Sequence, residues 1–66
     1  MNKYVATYEI KTGPKHFEGE TEKFQAQEDN SALAYARKRL PEISRDNEGA
    51  IVRLVKLVEI RKLDIR

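Results

Sequence analysis

Cysteine and tryptophan are absent from this sequence, which has a single histidine and three glycines among its 66 residues. The lack of cysteine excludes disulfide bonds, thiol catalysis and cysteine-based zinc sites, and it favours a reducing, cytoplasmic compartment. A chain of this length buries only about 60% of the surface that its unfolded form exposes. Domains this small are commonly stabilised by disulfides, metals or association. The sequence therefore predicts one small domain, with self-association as the remaining source of added stability.

Long apolar runs are also absent. The N-terminal stretch 1–10 contains Lys3 and Glu9 and lacks the apolar segment of a signal peptide. No segment approaches the roughly eighteen uncharged residues that cross a membrane. We therefore expect a cytoplasmic protein that does not bind membranes.

Catalytic signatures are scarce. The histidine, His16, lies in a loop with no nucleophile beside it. Gly13 and Gly19 match neither a phosphate-binding loop nor a dinucleotide-binding fingerprint. The stretch 18–22 places three glutamates on one strand face, which can bind a hard cation, although a charged edge strand that resists aggregation is the favoured interpretation. We expect a non-enzymatic protein without a cofactor or a metal.

Two strands are predicted in the first part of the chain. From Lys3 to Lys11 the apolar residues occupy every second position, with Val5 as the exception, and this alternation is typical of a half-buried strand. Gly13 and Pro14 then favour a hairpin turn. The second strand covers roughly 17–27, with Phe24 and Ala26 facing inward. Phe17 has the opposite parity, and a bulge at Gly19 would switch its face, so the face on which Phe17 lies stays open.

A helix follows the second strand. Asp29, Asn30 and Ser31 are each suitable N-cap residues, and the next nine residues are rich in strong helix formers. One apolar stripe follows helical spacing: Ala32, Leu33, Ala36 and Leu40. Pro41 is expected to end the regular helix at or before Leu40, with Ile43 in a possible extra turn.

The segment 51–60 is rich in valine, isoleucine and leucine and is predicted to be a third strand. A helix is the competing prediction, because charged residues recur there at every third position. The order of elements is then ββαβ. We expect an α+β domain with a three-stranded antiparallel sheet in the order 2-1-3 and one helix packed on one face.

This topology collects basic residues at one end of the molecule, where the hairpin loop, the helix C-terminus and the loop 44–49 meet. The predicted cluster consists of Lys11, Lys15, Arg37, Lys38, Arg39 and Arg45. Such a cluster predicts salt-dependent binding of nucleic acid, with Phe17 and Tyr35 as the aromatic residues left to stack on bases. The alternative is that these cations offset the helix dipole and are neutralised by nearby glutamates.

The third strand is apolar on both faces, whereas one helix covers only one face of a sheet. Residues of one parity are Val52, Leu54, Val58 and Ile60, and residues of the other are Ile51, Val55, Leu57, Leu63 and Ile65. We expect Val5, Val55 and Leu57 to form an exposed patch that mediates homodimerisation, through the open face or the third-strand edge. The alternative is that a bulge or the C-terminal tail covers these residues.

The stretch 24–36, a strand that ends in an alanine-rich helix, resembles the junction of many small ββαβ proteins. It is also similar to that of the small archaeal ribosomal protein LX, which implies the same strand order. No functional residue is carried over from this resemblance, because the shared features are capping and helix propensity.

The expected function is a homodimeric, non-enzymatic interaction module, and the alternative is a nucleic-acid-binding or ribosome-associated protein.

Overall fold

A computed structural model describes residues 1–60, in which three strands and one helix follow the order ββαβ. The elements are β1 (Asn2–Gly13), β2 (His16–Ala26), α1 (Asp29–Asp46) and β3 (Val52–Ile60). The sheet is antiparallel, and its strand order is β2-β1-β3. The predicted α+β fold and sheet order are therefore confirmed, and the helical alternative for residues 51–60 is excluded. Leu63 and Ile65 lie outside the described residues.

Strand β1 divides the sheet into two faces. Tyr4, Ala6, Tyr8 and Ile10 point toward α1 and are at most 5% exposed. The residues between them point to the opposite side, which no element among residues 1–60 covers; this side is called the open face below. The alternation in the sequence thus predicted the buried face of β1 correctly.

Small residues allow α1 to lie close to the sheet. Ala32 and Ala36 lie on the side of α1 that faces the sheet and are fully buried, and Ile43 is 3% exposed. Two tyrosines then join the strand to the helix: the Tyr4 hydroxyl donates to Asp29 Oδ1 at 2.8 Å, and the Tyr8 hydroxyl donates to the Ala36 carbonyl at 3.4 Å. Each buried hydroxyl therefore has a partner, as a buried polar group requires.

The helix is longer than the sequence predicted. Pro41 lies inside α1, which continues to Asp46, so the expected end at Leu40 is wrong. Proline removes the N–H that would bond to the Arg37 carbonyl, and its ring crowds that carbonyl. Both residues lie on the exposed side of the helix, where water can bind the carbonyl. Burial of Ile43 in the core stabilises the turns beyond the proline.

The start of α1 also differs from the prediction. The N-cap residue is Glu28, and its side chain makes no capping hydrogen bond. Asp29 lies in the first helical turn instead, where its negative charge is favourable near the positive end of the helix dipole. None of the three expected cap residues therefore occupies the cap position.

Strand β2 pairs with β1 without interruption from Asn2 opposite Ala26 to Lys11 opposite Phe17. No bulge occurs at Gly19, since the register of this strand pair shifts only at the turn, after Lys11. Phe24 and Ala26 face the helix as expected. Phe17 consequently lies on the open face, where it is 43% exposed.

A bulge does occur in β3. The pairing passes from Thr7 opposite Lys56 to Tyr8 opposite Leu54, so Val55 is the additional residue. The bulge places Leu54 and Leu57 on the same face, although their positions have opposite parity. This face is the one covered by the helix.

Candidate functional site

The predicted basic cluster is divided in the structure. Because α1 continues to Asp46, the segment 37–39 lies in the middle of the helix and not in its last turn. The adjacent Ala36 carbonyl contacts Tyr8, and the hairpin turn lies five residues further along β1, about 17 Å away at the usual strand rise. Arg37, Lys38 and Arg39 are therefore not brought together with the hairpin loop.

Arg39 is already engaged with carboxylates. Its Nε donates to Glu22 Oε1 at 3.1 Å and its Nη1 donates to Glu42 Oε1 at 2.5 Å, while the Tyr35 hydroxyl donates to Glu22 Oε2 at 2.9 Å. The bonds to Glu42 and Glu22 raise the pKa of Arg39, and the bond to Glu22 raises the pKa of Tyr35. These contacts join the helix to β2, so Arg39 and Tyr35 both have structural partners.

The remaining members of the cluster lie toward the hairpin end. The amide of Lys11 donates to the Ile51 carbonyl at 2.8 Å, which brings the segment after the helix beside the end of β1. Lys15 is exposed in the hairpin turn, and Arg45 is exposed in the last turn of α1. The topology predicted for this end is thus correct, although it gathers fewer cations than expected.

The open face carries a larger group of cations that the sequence analysis did not identify. Pairing across the three strands places Lys23 beside Val5, Lys56 beside Thr7, and Arg53 beside Glu9. The basic residues of the open face are Lys3, Lys11, Lys23, Arg53 and Lys56. They are distributed over all three strands and along the full length of β1.

Charge is therefore unevenly divided between the two sides of the molecule. Residues 1–60 contain ten basic and ten acidic side chains. Half of the basic residues lie on the open face, together with a single acidic residue, Glu9. The rest of this part of the chain carries the other nine acidic residues and is negative overall. The open face is thus an extended cationic surface on a domain that is nearly neutral.

One end of the open face carries an aromatic ring beside an arginine. The Arg53 guanidinium lies over the Phe17 ring, with 5.3 Å between Cζ and the ring centroid. Arg53 Nε and Nη2 donate to Glu9 Oε1 at 2.9 and 2.6 Å. Glu9 therefore holds the guanidinium in place and neutralises its charge. Gly19, opposite Glu9, adds no side chain to this part of the face.

The other end of the open face contains a shallow hollow of about 240 Å³. Its lining residues are Lys3, Lys23, Phe24, Gln25 and Ile60. Two ammonium groups and one amide thus border the same concavity. This combination suits an anionic group, because lysine and amide N–H groups are common donors to phosphate oxygens.

The predicted apolar patch is present in altered form. Val5 lies opposite Val58 on the open face, and Val55, Val58 and Ile60 are 50%, 45% and 39% exposed. Leu57 is not part of this surface, because the bulge turns it toward the helix, where it packs against both core clusters. The patch therefore consists of Val5, Val55, Val58 and Ile60, bordered by lysines.

A second concavity, of about 280 Å³, lies beside the start of α1 on the helix side. Tyr4 and Asp29 are hydrogen-bonded to each other there, and Glu59 lines the same cleft. Burial and the bond to Asp29 raise the pKa of Tyr4, so its hydroxyl stays protonated at neutral pH. The Tyr4–Asp29 pair has a clear structural function, because it attaches the helix to β1.

Within residues 1–60, no three histidine or carboxylate side chains converge as metal ligands. Over the same residues, no helix combines the length and the apolar character needed to cross a membrane.

The sequence carried little signal for the cationic surface, because strand register decides which residues belong to it. The register of β1 and β2 shifts by one residue between Lys11 and Gly13, beside the two-residue turn at Pro14 and Lys15, and this shift places Lys23 and Phe17 on the same face as Lys3 and Lys11. The contribution of β3 likewise depends on the bulge at Val55, which exchanges the faces of that strand. Comparison of the chain with protein-family models, curated proteins and solved structures finds no match.

Proposed function

We propose that this chain is a non-enzymatic nucleic-acid-binding module that acts through the open face of its sheet. The observation that supports this proposal is the collection of five basic residues on that face with a single carboxylate, on a domain whose other side is negative. A surface of this kind attracts a polyanion and orients the domain toward it.

Lysine ammonium groups are the main contacts in this proposal. Arg53 is paired with Glu9, whereas no ion pair among residues 1–60 involves the lysines of the open face. These lysines are Lys3, Lys11, Lys23 and Lys56. Four phosphate contacts to a single strand give a slope of about −3 for the logarithm of the binding constant against that of the salt concentration. Binding is therefore expected to be strong only at low salt.

The same charge distribution bears on self-association. If two copies packed through their open faces, each would bring its lysines toward the lysines of the other, and like charges in a desolvated interface cost several kcal/mol. A polyanion has the opposite effect, because it neutralises these charges. The open face is therefore better suited to nucleic acid than to a second copy of itself.

The experiment compares two double charge reversals that change the net charge equally. Lys23→Glu with Lys56→Glu alters the open face, and Arg37→Glu with Lys38→Glu alters exposed positions of α1. Fluorescence anisotropy with labelled RNA and DNA, single- and double-stranded, at 50 mM salt measures the affinities. We expect the open-face variant to bind at least tenfold more weakly than the parent, and the helix variant to keep most of the affinity.

The matched net charge makes the outcome specific. Equal losses in both variants indicate a general charge effect, and a larger loss in the helix variant assigns the contact to α1; either result contradicts the proposal. Absence of binding by the parent chain at 50 mM salt contradicts it as well.

A homodimer is the second candidate, and the edge of β3 is the feature that favours it. No strand among residues 1–60 pairs with the outer edge of β3, which carries the exposed side chains Val55 and Val58. Edge-to-edge pairing would join two sheets and leave both open faces accessible. In sedimentation equilibrium, we expect a dimer that Val55→Lys with Val58→Lys converts to a monomer. A parent chain that stays monomeric at high micromolar concentration contradicts this candidate.

A further inference from the structure

We infer that the open face selects single-stranded over double-stranded nucleic acid, by stacking an unpaired base on the platform formed by Phe17 and Arg53. This inference rests on the proposed function, because it names the form of nucleic acid that the same face binds. The cations account for attraction to any polyanion, whereas the aromatic platform requires an accessible base.

The platform is already assembled in the unbound chain. Arg53 lies over Phe17 and is held there by two hydrogen bonds to Glu9. Phe17 is 43% exposed, and the Arg53 side chain is 65% exposed. Bases stack on aromatic rings and on guanidinium planes, and a side chain held in place loses little conformational entropy when a base binds. The guanidinium plane, supported by the Phe17 ring beneath it, and the uncovered part of the ring are therefore available to a base.

Gly19 leaves space next to the platform. It follows Phe17 on the same face of β2, and its position is opposite Glu9. A Cβ atom built there has the Tyr8 carbonyl oxygen, at 3.9 Å, as its nearest neighbour, which is an ordinary contact. The fold therefore does not require glycine at this position, and the consequence of having glycine is an uncovered area of sheet beside the ring.

The position of the platform relative to the lysines suits a strand of several nucleotides. Phe17 lies opposite Lys11, and the hollow bordered by Lys3 and Lys23 lies eight residues away along β1. At the usual rise of a strand, this separation is about 27 Å. Single-stranded ligands commonly occupy about 4 to 16 nucleotides on a domain that combines cations with stacking residues. In a duplex the bases are stacked on one another, so Phe17 has no base to contact.

The test measures affinity for a 12-nucleotide single-stranded RNA and for the corresponding 12-base-pair duplex RNA, at 50 mM salt. Phe17→Leu removes the ring and keeps an apolar side chain, and Gly19→Val fills the uncovered area. We expect each variant to bind the single strand about tenfold more weakly than the parent, since stacking of one base contributes a factor of this order. Affinity for the duplex is expected to change less than twofold.

Thr21→Val is the matched control for Gly19→Val, because it introduces the same side chain on the same face of β2, one alternation further from Phe17. It should bind both ligands like the parent. Circular dichroism verifies that each variant is folded. A further measurement uses Arg53→Lys, which keeps the charge but removes the planar group, and it should weaken single-strand binding alone.

The outcomes separate this inference from the proposed function. If Phe17→Leu and Gly19→Val bind the single strand as tightly as the parent, or if the parent prefers the duplex, the inference is overturned. The proposed function survives that result provided that Lys23→Glu with Lys56→Glu still weakens binding at least tenfold. If the lysine variant binds normally, both are overturned.

Discussion

The two faces of β1 have opposite roles although their residues alternate along one strand. On one face, Tyr4, Ala6, Tyr8 and Ile10 are almost completely buried beneath α1. On the other face, the intervening residues lie beside lysines and are only half covered. The comparison indicates that the contacts which stabilise the fold are concentrated on one side of the sheet, and the proposed binding surface lies on the other. Substitutions on the two sides should therefore change different measurements.

The largest effect on stability is expected from overfilling the contact between helix and sheet. Ala36 is fully buried on the side of α1 that faces the sheet. Ala36→Leu must therefore displace the helix, and it should lower the free energy of unfolding by about 2 to 3 kcal/mol. Urea unfolding followed by circular dichroism measures it. Ala34→Leu introduces the same side chain at an exposed position of the same helix and should stay within about 0.5 kcal/mol of the parent. Equal effects of the two substitutions would contradict the assigned helix orientation.

A smaller loss is expected where α1 meets β2. Glu22→Ala leaves the Tyr35 hydroxyl and one side of Arg39 without their acceptor, and it should cost about 1 kcal/mol at low salt. The effect should decrease in 1 M salt, because the partly exposed ion pair is screened. Glu20→Ala is the control on the same strand face and should have little effect. A salt-independent loss would indicate that packing, and not the ion pair, is responsible.

The raised pKa of Tyr8 predicts how the stability of the fold changes at alkaline pH. Burial, followed by the nearby charge of Glu22, raises the pKa of Tyr8 to about 12 in the folded chain, above the value of about 10 for an unfolded tyrosine. The stabilisation is therefore complete below pH 10 and is lost as pH rises toward 12, because the unfolded chain releases this proton first.

Tyr8→Phe tests this dependence. At pH 7 the variant should be less stable by about 1 kcal/mol or less, since it loses a long hydrogen bond to the Ala36 carbonyl. Between pH 10 and pH 11, urea unfolding should show a smaller loss of stability in the variant than in the parent. Parallel losses over this interval would mean that Tyr8 titrates normally in the folded chain.

The smallest effect on stability is expected from substitutions on the open face. Lys23→Thr with Lys56→Thr removes two cations and introduces residues that favour strands, so the free energy of unfolding should change by about 0.5 kcal/mol or less. Nucleic-acid affinity should nevertheless fall at least tenfold at 50 mM salt, and the salt slope should become shallower by about 1.4. A large loss of stability would remove the distinction between the two faces.

Particular elements show why some features were predictable from the sequence and others were not. The buried face of β1 was predictable because alternation with a period of two is a local property. The end of α1 was not, because Pro41 opposes the helix locally while the burial of Ile43, a contact made with distant strands, stabilises it. Phe17 was ambiguous for a similar reason, since its face depends on the register with β1 and not on its own neighbours.

The sequence by itself determined which elements form and in what order, because strand alternation, turn residues and helix propensity act over a few neighbouring residues. The tertiary structure decided which side chains share a surface. Pairing with β1 introduced the bulge at Val55, which turned Leu57 into the core and left Lys56 and Val58 on the open face. A single unpaired residue exchanges the two faces of a strand, and the partner strand decides where that residue lies. The cationic surface therefore exists only once all three strands are in register.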